Sequence, residues 1–491
     1  MKWYFCLNEH GMNGFAESMF AAVHSALQNT TLEPHFIYDG APNEITRYLQ
    51  RIGVTVHFHQ NSFLDRINAA KAQQGFNPAH ARGAYLRLDI PVIDQTDDVV
   101  LYTDVDVLFP RDPRIDMRPE LFAAAPEYAM LASGPVPNKH ILNSGVMVIN
   151  LGAFRKRLAG LIDFAAKHDF YFHGDSGFYD QGAINKFFPG EWEALPQRLN
   201  WRPFSGHQEL PEIIHFHGTK PYELPQLIAG GKGVREVAGR FYNLNKTNYL
   251  MAFGLYMRFQ TPETQRILGE AFPKAQRLSV YRRGGDGLPY KNDLCQFIFN
   301  DQFIRASSFY GSPYLDEFSG IITKYAAGKS LFRMLEWGSG FTSLLAPMVL
   351  DSLGVDFRLE SIDDNPRYQR DLAKFVYASD RIEFRLEDLT GPGKSQADPE
   401  LNYSTSPLRN REDYDFIFID GRRRVECAYI AALVSSPETI VVIHDFRRGR
   451  YQPVLGLFEV VEETEQFRVM KIRKGVHEAL KPGRAEIQSL R

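Results

Sequence analysis

A chain of 491 residues is too long for one hydrophobic core, so two or three domains are expected. Its 44% hydrophobic and 23% charged residues are ordinary for a globular protein, and a net charge of −3 argues against nucleic acid as a partner. Cys6, Cys295 and Cys427 are far apart and form no CxxC pair, which argues for a reducing compartment and against a disulfide framework or zinc ribbon. Met1-Lys2-Trp3-Tyr4-Phe5 turns polar at Asn8-Glu9-His10, so neither a signal peptide nor a transmembrane segment is expected. The expected location is cytoplasmic, or peripheral at the inner membrane through a partner.

In chain order, residues 2–7 read as a strand, Asn8 to Gly14 as a polar loop, and Phe15 to Leu27 as a helix. A strand (35–38), a helix (43–52) and a strand (54–58) continue a βαβ rhythm, which predicts a parallel sheet with helices on both faces. Ligands of such sheets bind beyond the carboxyl ends of the strands. Ala84 to Pro91 reads as a short helix stopped by Pro91. Within it Arg87 either snorkels with a packed stem or orients an aspartate or phosphate.

Val99 to Phe109 is the central signal. A β-branched apolar run ends in Asp104-Val105-Asp106 and stops at Pro110. Side chains two apart share a face, so both carboxylates can converge on one hard divalent cation; two solvated strand-end acids are the plainer alternative. Asn143-Ser144-Gly145 leads an apolar strand and suits backbone approach to a sugar. Asp180 can cap the helix that opens at Tyr179, with Gln181 at its exposed start. Ile213 to Pro221 places His215 and His217 on one strand face, followed by Gly218 and Lys220, which can complete a metal site and hold a phosphate.

Together these motifs, over residues 1–245, resemble the retaining glycosyltransferases of family 8, which have a GT-A fold. The resemblance implies a UDP-sugar donor, a glycan acceptor, and Mn²⁺ held by Asp104, Asp106 and His215. It places Lys220 on the diphosphate, Arg87 and Asn143 at the donor, and Asp180 and Gln181 beside the anomeric carbon. Two departures stand out. Only Thr219 separates Gly218 from Lys220, and Tyr222 rather than tryptophan follows Pro221. His217 reads as a local hydrogen-bonding residue.

Residues 246–300 read as a helical connector, with helices near 249–259 and 264–272, and residues 301–491 begin a second α/β alternation. Strands are predicted at 331–336, 358–362, 384–386, 414–419 and 439–443, each followed or closed by an acid: Glu336, Asp363, Asp388, Asp420 and Asp445. Gly338 and Gly340 follow the first strand, and Asp363 lies about 20 residues on, where an acid commonly holds ribose hydroxyls.

This half resembles a Rossmann-like class I S-adenosylmethionine-dependent methyltransferase. The resemblance puts the cofactor on Glu336, Gly338, Gly340, Asp363 and Asp388. Ile419-Asp420-Gly421 and Val442-Ile443-His444-Asp445 are similar to plant glucuronoxylan O-methyltransferases. Thr342 replaces the motif's third glycine, which also counts against an NAD-binding domain. His444 or Asp420 can serve as the base for a hydroxyl, or His444 is a strand-end residue bonded to backbone. Arg422-Arg423-Arg424 and Arg447, Arg448 and Arg450 read as flanking one crevice to capture an acidic acceptor such as a uronate, against a solvated face as the bland alternative. Thr390 to Asp413 reads as a long loop. The whole predicts a bifunctional enzyme that adds a sugar and O-methylates a glycan of a surface polysaccharide or glycoconjugate. The rival is a glycosyltransferase whose second half is non-catalytic and binds acceptor or organises an assembly.

Overall fold

A computed structural model describes residues 1–71, 74–131, 134–174, 177–205, 211–228, 234–257, 259–273, 312–373, 380–387, 389, 399–409 and 413–489. Cys295, Asp388 and the glycine-bearing runs 230–233 and 282–287 lie outside these, as does the connector beyond residue 273. Over the described residues, one compact unit draws on 1–221 and 240–277, including the helices Lys246–Met257 and Pro262–Ala271, and a second on 222–239 and 301–491. No helix among the described residues is long and apolar enough to cross a membrane.

The first unit is built on β1 (Lys2–Asn8), β2 (Glu33–Asp39), β3 (Thr55–Phe58) and β4 (Val99–Thr103), all parallel. The short β5 (Val107–Leu108) follows, then the long hairpin β6 (Phe122–Leu131) and β7 (Gly134–Asn150), and β8 (Glu193–Ala194). The seven-stranded order is β3-β2-β1-β4-β7-β6-β8. β7 runs antiparallel to both β4 and β6, so the sheet is mixed where a parallel one is predicted. A hairpin needs only a tight turn, whereas a parallel return needs a crossover. Alternation along β1 sends Trp3, Phe5 and Leu7 into one core cluster and Tyr4 and Cys6 into the other, so both faces are covered.

Two local expectations change. The first helix begins at Glu9, not Phe15, because the Asn8 side chain caps it at 2.8 Å from the Gly11 N–H. Pro91 does not stop a helix. A 3₁₀ turn, Tyr85–Asp89, runs into the short helix Ile90–Ile93, and Pro91 sits in its first turn, where a missing N–H costs nothing.

β9 (Ile214–His215) pairs antiparallel with β5, with Val107 opposite His215. The chain therefore leaves the main sheet at Asp104, turns through Asp106, and meets the histidine strand.

The second unit contains β10 (Leu331–Trp337), β11 (Asp356–Asp363), β12 (Ile382–Leu386), β13 (Phe416–Ile419) and β14 (Ile440–His444), all parallel. An antiparallel pair, β15 (Phe458–Glu463) and β16 (Phe467–Ile472), completes the order β12-β11-β10-β13-β14-β16-β15. The strand order reverses between β10 and β13, which is where ligands bind in doubly wound sheets. β15 is one edge and β12 the other; β15 carries exposed Val460 and Val461 and a register shift between Val460 and Glu462. Part of the predicted long loop is helical: Pro399–Thr405, then a 3₁₀ turn, Ser406–Arg409.

Candidate functional site

A cavity of about 690 Å³ opens at the carboxyl ends of β1 and β4, lined by Arg87, Asp104, Asp106, Asp180, Gln181 and Lys220 among others. Arg87 is its hub. Its guanidinium reaches Asp104 at 3.0 Å, Asp180 at 3.1 Å and the Ser144 carbonyl at 2.6 Å, and lies 4.5 Å over the Tyr102 ring. Burial works against that charge, but Asp180, Tyr102 and Asp104 hold its pKa above the usual value. The arginine therefore orients carboxylates and does not snorkel. Burial pushes the Asp180 carboxyl up to about 6, with Arg87 pulling it back and Asp104 pushing it further. Asp180 does not cap its helix, Tyr179–Phe187; the N-cap position is Phe178, and the side chain faces Arg87.

Asp104, Asp106 and His215 each present one ligand atom within 4.8 Å of the others. His215 is buried, and burial, then His217, holds its pKa well below the usual value, so the ring is neutral as a ligand must be. Two carboxylates and one neutral imidazole suit a divalent cation such as Mn²⁺. Lys220 pairs with Asp106 and donates to the Phe216 carbonyl at 3.2 Å.

An amide cluster stands beside the acids. Gln181 Oε1 accepts from Asn143 Nδ2 at 3.3 Å and from the Ser144 N–H at 3.1 Å. Glu127 and Arg202 complete it, and no motif in the sequence announces either. Glu127 lines the cavity, accepts from Asn143 at 3.0 Å and pairs with the fully buried Arg202 at 3.1 Å. Burial raises its pKa, yet His217, Arg202 and the Tyr128 N–H bring it down to about 2. His217 is itself lowered to about 4 by burial, so Arg202 supplies the positive charge at neutral pH. His217 hydrogen-bonds Asn143 at 3.4 Å, the local role expected of it.

In the second unit a cavity of about 320 Å³ is lined by Gly338, Ser339, Gly340, Thr342, Asp363, Asp364, Asp420, Gly421, Arg422 and Tyr314. Gly338 has φ +99°, and a Cβ there would meet the Gly421 backbone nitrogen at 2.6 Å. Glu336 does not line this cavity, unlike the other described residues expected on the cofactor. Its buried carboxylate accepts from Thr342, Ser343 and Ser361, the last at 2.7 Å. Burial pushes it up to about 7 against those three hydroxyls. Thr342, a gap in the glycine pattern, thus braces the loop from behind. Asp363 lines the cavity, accepts from the Asn365 N–H at 2.8 Å and is pushed up to about 6, chiefly by burial.

Asp420 Oδ1 bonds His444 Nδ1 at 2.8 Å and pairs with Arg424 at 2.8 Å. His444 is buried edge-on to Tyr314, ring centroids 5.0 Å apart. The arginine runs do not form an open basic rim. Arg422 pairs with Asp364 at 2.7 Å, Arg423 with Glu426 at 3.0 Å and Arg448 with Asp445 at 2.7 Å, and of the six only Arg422 lines the cavity. Tyr179, which lines the first cavity, has left-handed backbone (φ 46°), as do Arg423 (φ 52°), next to Arg422, and Asp445 (φ 59°), next to His444. Such strain gathers at functional positions.

The fold and sites define a protein of two α/β units, each with a cavity where its strand order reverses. Residues 7–223 match the family described as Glycosyl transferase family 8. No curated protein matches the chain. Similar solved structures include the galactosyltransferase LgtC in complex with donor and acceptor sugar analogs, at 17% identity over 50% of this chain and 95% of that one, TM-score 0.35. The apo-form glycosyltransferase GlyE of Streptococcus pneumoniae TIGR4 is 14% identical over 88% of each chain, TM-score 0.33. A methyltransferase-like protein of Silicibacter pomeroyi DSS-3 is 16% identical over 34% of this chain and 93% of that one, TM-score 0.27.

Proposed function

We propose that the chain is a bifunctional glycan-modifying enzyme. The first unit transfers a sugar from a UDP-sugar to a glycan with retention, dependent on Mn²⁺, and the second O-methylates a glycan hydroxyl from S-adenosylmethionine. The observation that carries the first half is that Asp104 and Asp106 line the same cavity as Asp180 and Gln181, with a ligand atom of buried His215 within 4.8 Å of theirs. A bound divalent cation would stabilise the charge that develops on the diphosphate leaving group. Lys220 adds a positive charge at the same end, Arg87 holds Asp104 and Asp180 in place, and Asp180 and Gln181 face the sugar. Chelator, or Asp104→Asn, is expected to cut UDP release by 100-fold or more; unchanged release would refute the assignment.

For the second unit, Asp363 at the cavity supports a ribose-binding role, and the Asp420–His444 pair supports proton removal from an acceptor hydroxyl. Methyl donation is what S-adenosylmethionine would supply there. The reading in which this unit is non-catalytic draws on Thr342 and on Glu336, which the protein uses internally. Calorimetric titration of S-adenosylmethionine decides between them. Saturable binding lost in Asp363→Ala supports methyl transfer, and no binding leaves an acceptor-binding or organising unit.

A further inference from the structure

His215 approaches Asp106 through Nε2, at 3.7 Å, and its other nitrogen, Nδ1, lies 3.0 Å from Asn200 Oδ1. Asn200 is buried and carries no motif. Its Nδ2 bonds Asn143 Oδ1 at 3.2 Å. The direction of this chain is fixed from its far end. Asn143 Oδ1 accepts from the Gly145 backbone N–H at 3.2 Å, and Asn143 Nδ2 donates to the Glu127 carboxylate at 3.0 Å. A backbone N–H can only donate and an ionised carboxylate can only accept, so the Asn143 amide has one orientation. Asn200 must then donate to Asn143 and accept from His215, which puts the ring proton on Nδ1 and the lone pair on Nε2.

We propose that Asn200 is a positioning residue that locks His215 in the Nδ1–H tautomer required of a metal ligand, with its polarity set by Glu127 and Gly145. This rests on the divalent-cation reading of Asp104, Asp106 and His215. The relay also ties the metal side of the cavity to its sugar side, because Asn143 bonds both Asn200 and Gln181. Partners that hold the remote nitrogen of a ligating histidine typically matter 10–100-fold for metal affinity.

The test is Mn²⁺ binding by the full-length protein, followed by calorimetry without nucleotide, together with the histidine ¹⁵N spectrum. Asn200→Leu is expected to weaken Mn²⁺ about 10–100-fold. Asn200→Asp still accepts from Nδ1–H but loses the donor to Asn143 Oδ1, and is expected to weaken Mn²⁺ less than Asn200→Leu does, a partial rescue that a purely structural role would not produce. The wild-type spectrum should show His215 protonated at Nδ1, a reading that needs no variant to fold. Wild-type Mn²⁺ binding that persists unchanged in Asn200→Leu, or protonation at Nε2, would overturn the proposal alone. Wild-type protein with no saturable Mn²⁺ binding would overturn the metal reading beneath it.

Discussion

A methyl group at residue 145 would press into the His215 ring, meeting its Cε1 inside contact range and its Nε2 at 3.0 Å. Gly145→Ala should therefore push the imidazole off the position opposite Asp106 and lower Mn²⁺ affinity at least 10-fold while the far-ultraviolet spectrum stays unchanged. Glu336 gives a second prediction. Its folded pKa, raised from 4.5 to about 7, means that folding takes up a proton between those values. The contribution of Glu336 to stability is then fully present below the unfolded value and is lost as pH rises through about 7, by on the order of 1–3 kcal/mol. Glu336→Gln keeps a partner for the three hydroxyls and should flatten that decline, read as the unfolding midpoint between pH 5 and 8. The paired acids were legible in the sequence because their spacing puts both on one strand face, whereas His215 was singled out over His217 only through the family resemblance. Glu127, Asn200 and Arg202 were not, since each meets the site only through tertiary contact.

At the scale of elements, both sites depend on joints between a strand end and its neighbour. Asn185, in the helix Tyr179–Phe187, accepts from the Leu142 N–H at 2.8 Å and donates to the Leu142 carbonyl at 3.0 Å, completing the strand's bonding one residue before Asn143. Asn185→Ala would leave both buried groups unpaired, so we expect a loss of about 2–4 kcal/mol in urea unfolding and reduced sugar transfer. The turn after β10 makes the same kind of joint with the turn after β13. Gly338→Ala asks for a side chain at φ +99° against the Gly421 backbone, and should abolish cofactor binding in a thermal-shift titration. The sequence revealed β10, β13 and β14 because buried parallel strands read as apolar runs ended by acids. It did not reveal β15, whose glutamates and exposed valines mimic a surface loop.

For the whole molecule, the proposed sugar transfer and the proposed S-adenosylmethionine binding draw on cavities in separate units, so each should be removable without the other. Asp104→Asn should eliminate sugar transfer and leave S-adenosylmethionine binding within about 2-fold of wild type, and Asp363→Ala should do the reverse, each checked by transfer assay and titration on the same preparation. Loss of both functions in either variant would instead mean that the units depend on one another. The sequence made the division into two alternating α/β halves visible, while the helices after residue 245 gave no signal of which half they join. The margin of the second sheet carries a consequence for engineering the protein. β15 leaves one row of backbone donors and acceptors unmatched by any strand among the described residues, and its kink at Val460 and the charges of Glu459, Glu462 and Glu463 hinder a neighbouring molecule from adding a strand there. Substitutions that strip those charges, such as Glu459→Ala with Glu462→Ala, would remove that guard and leave Val460 and Val461 as a seed for aggregation.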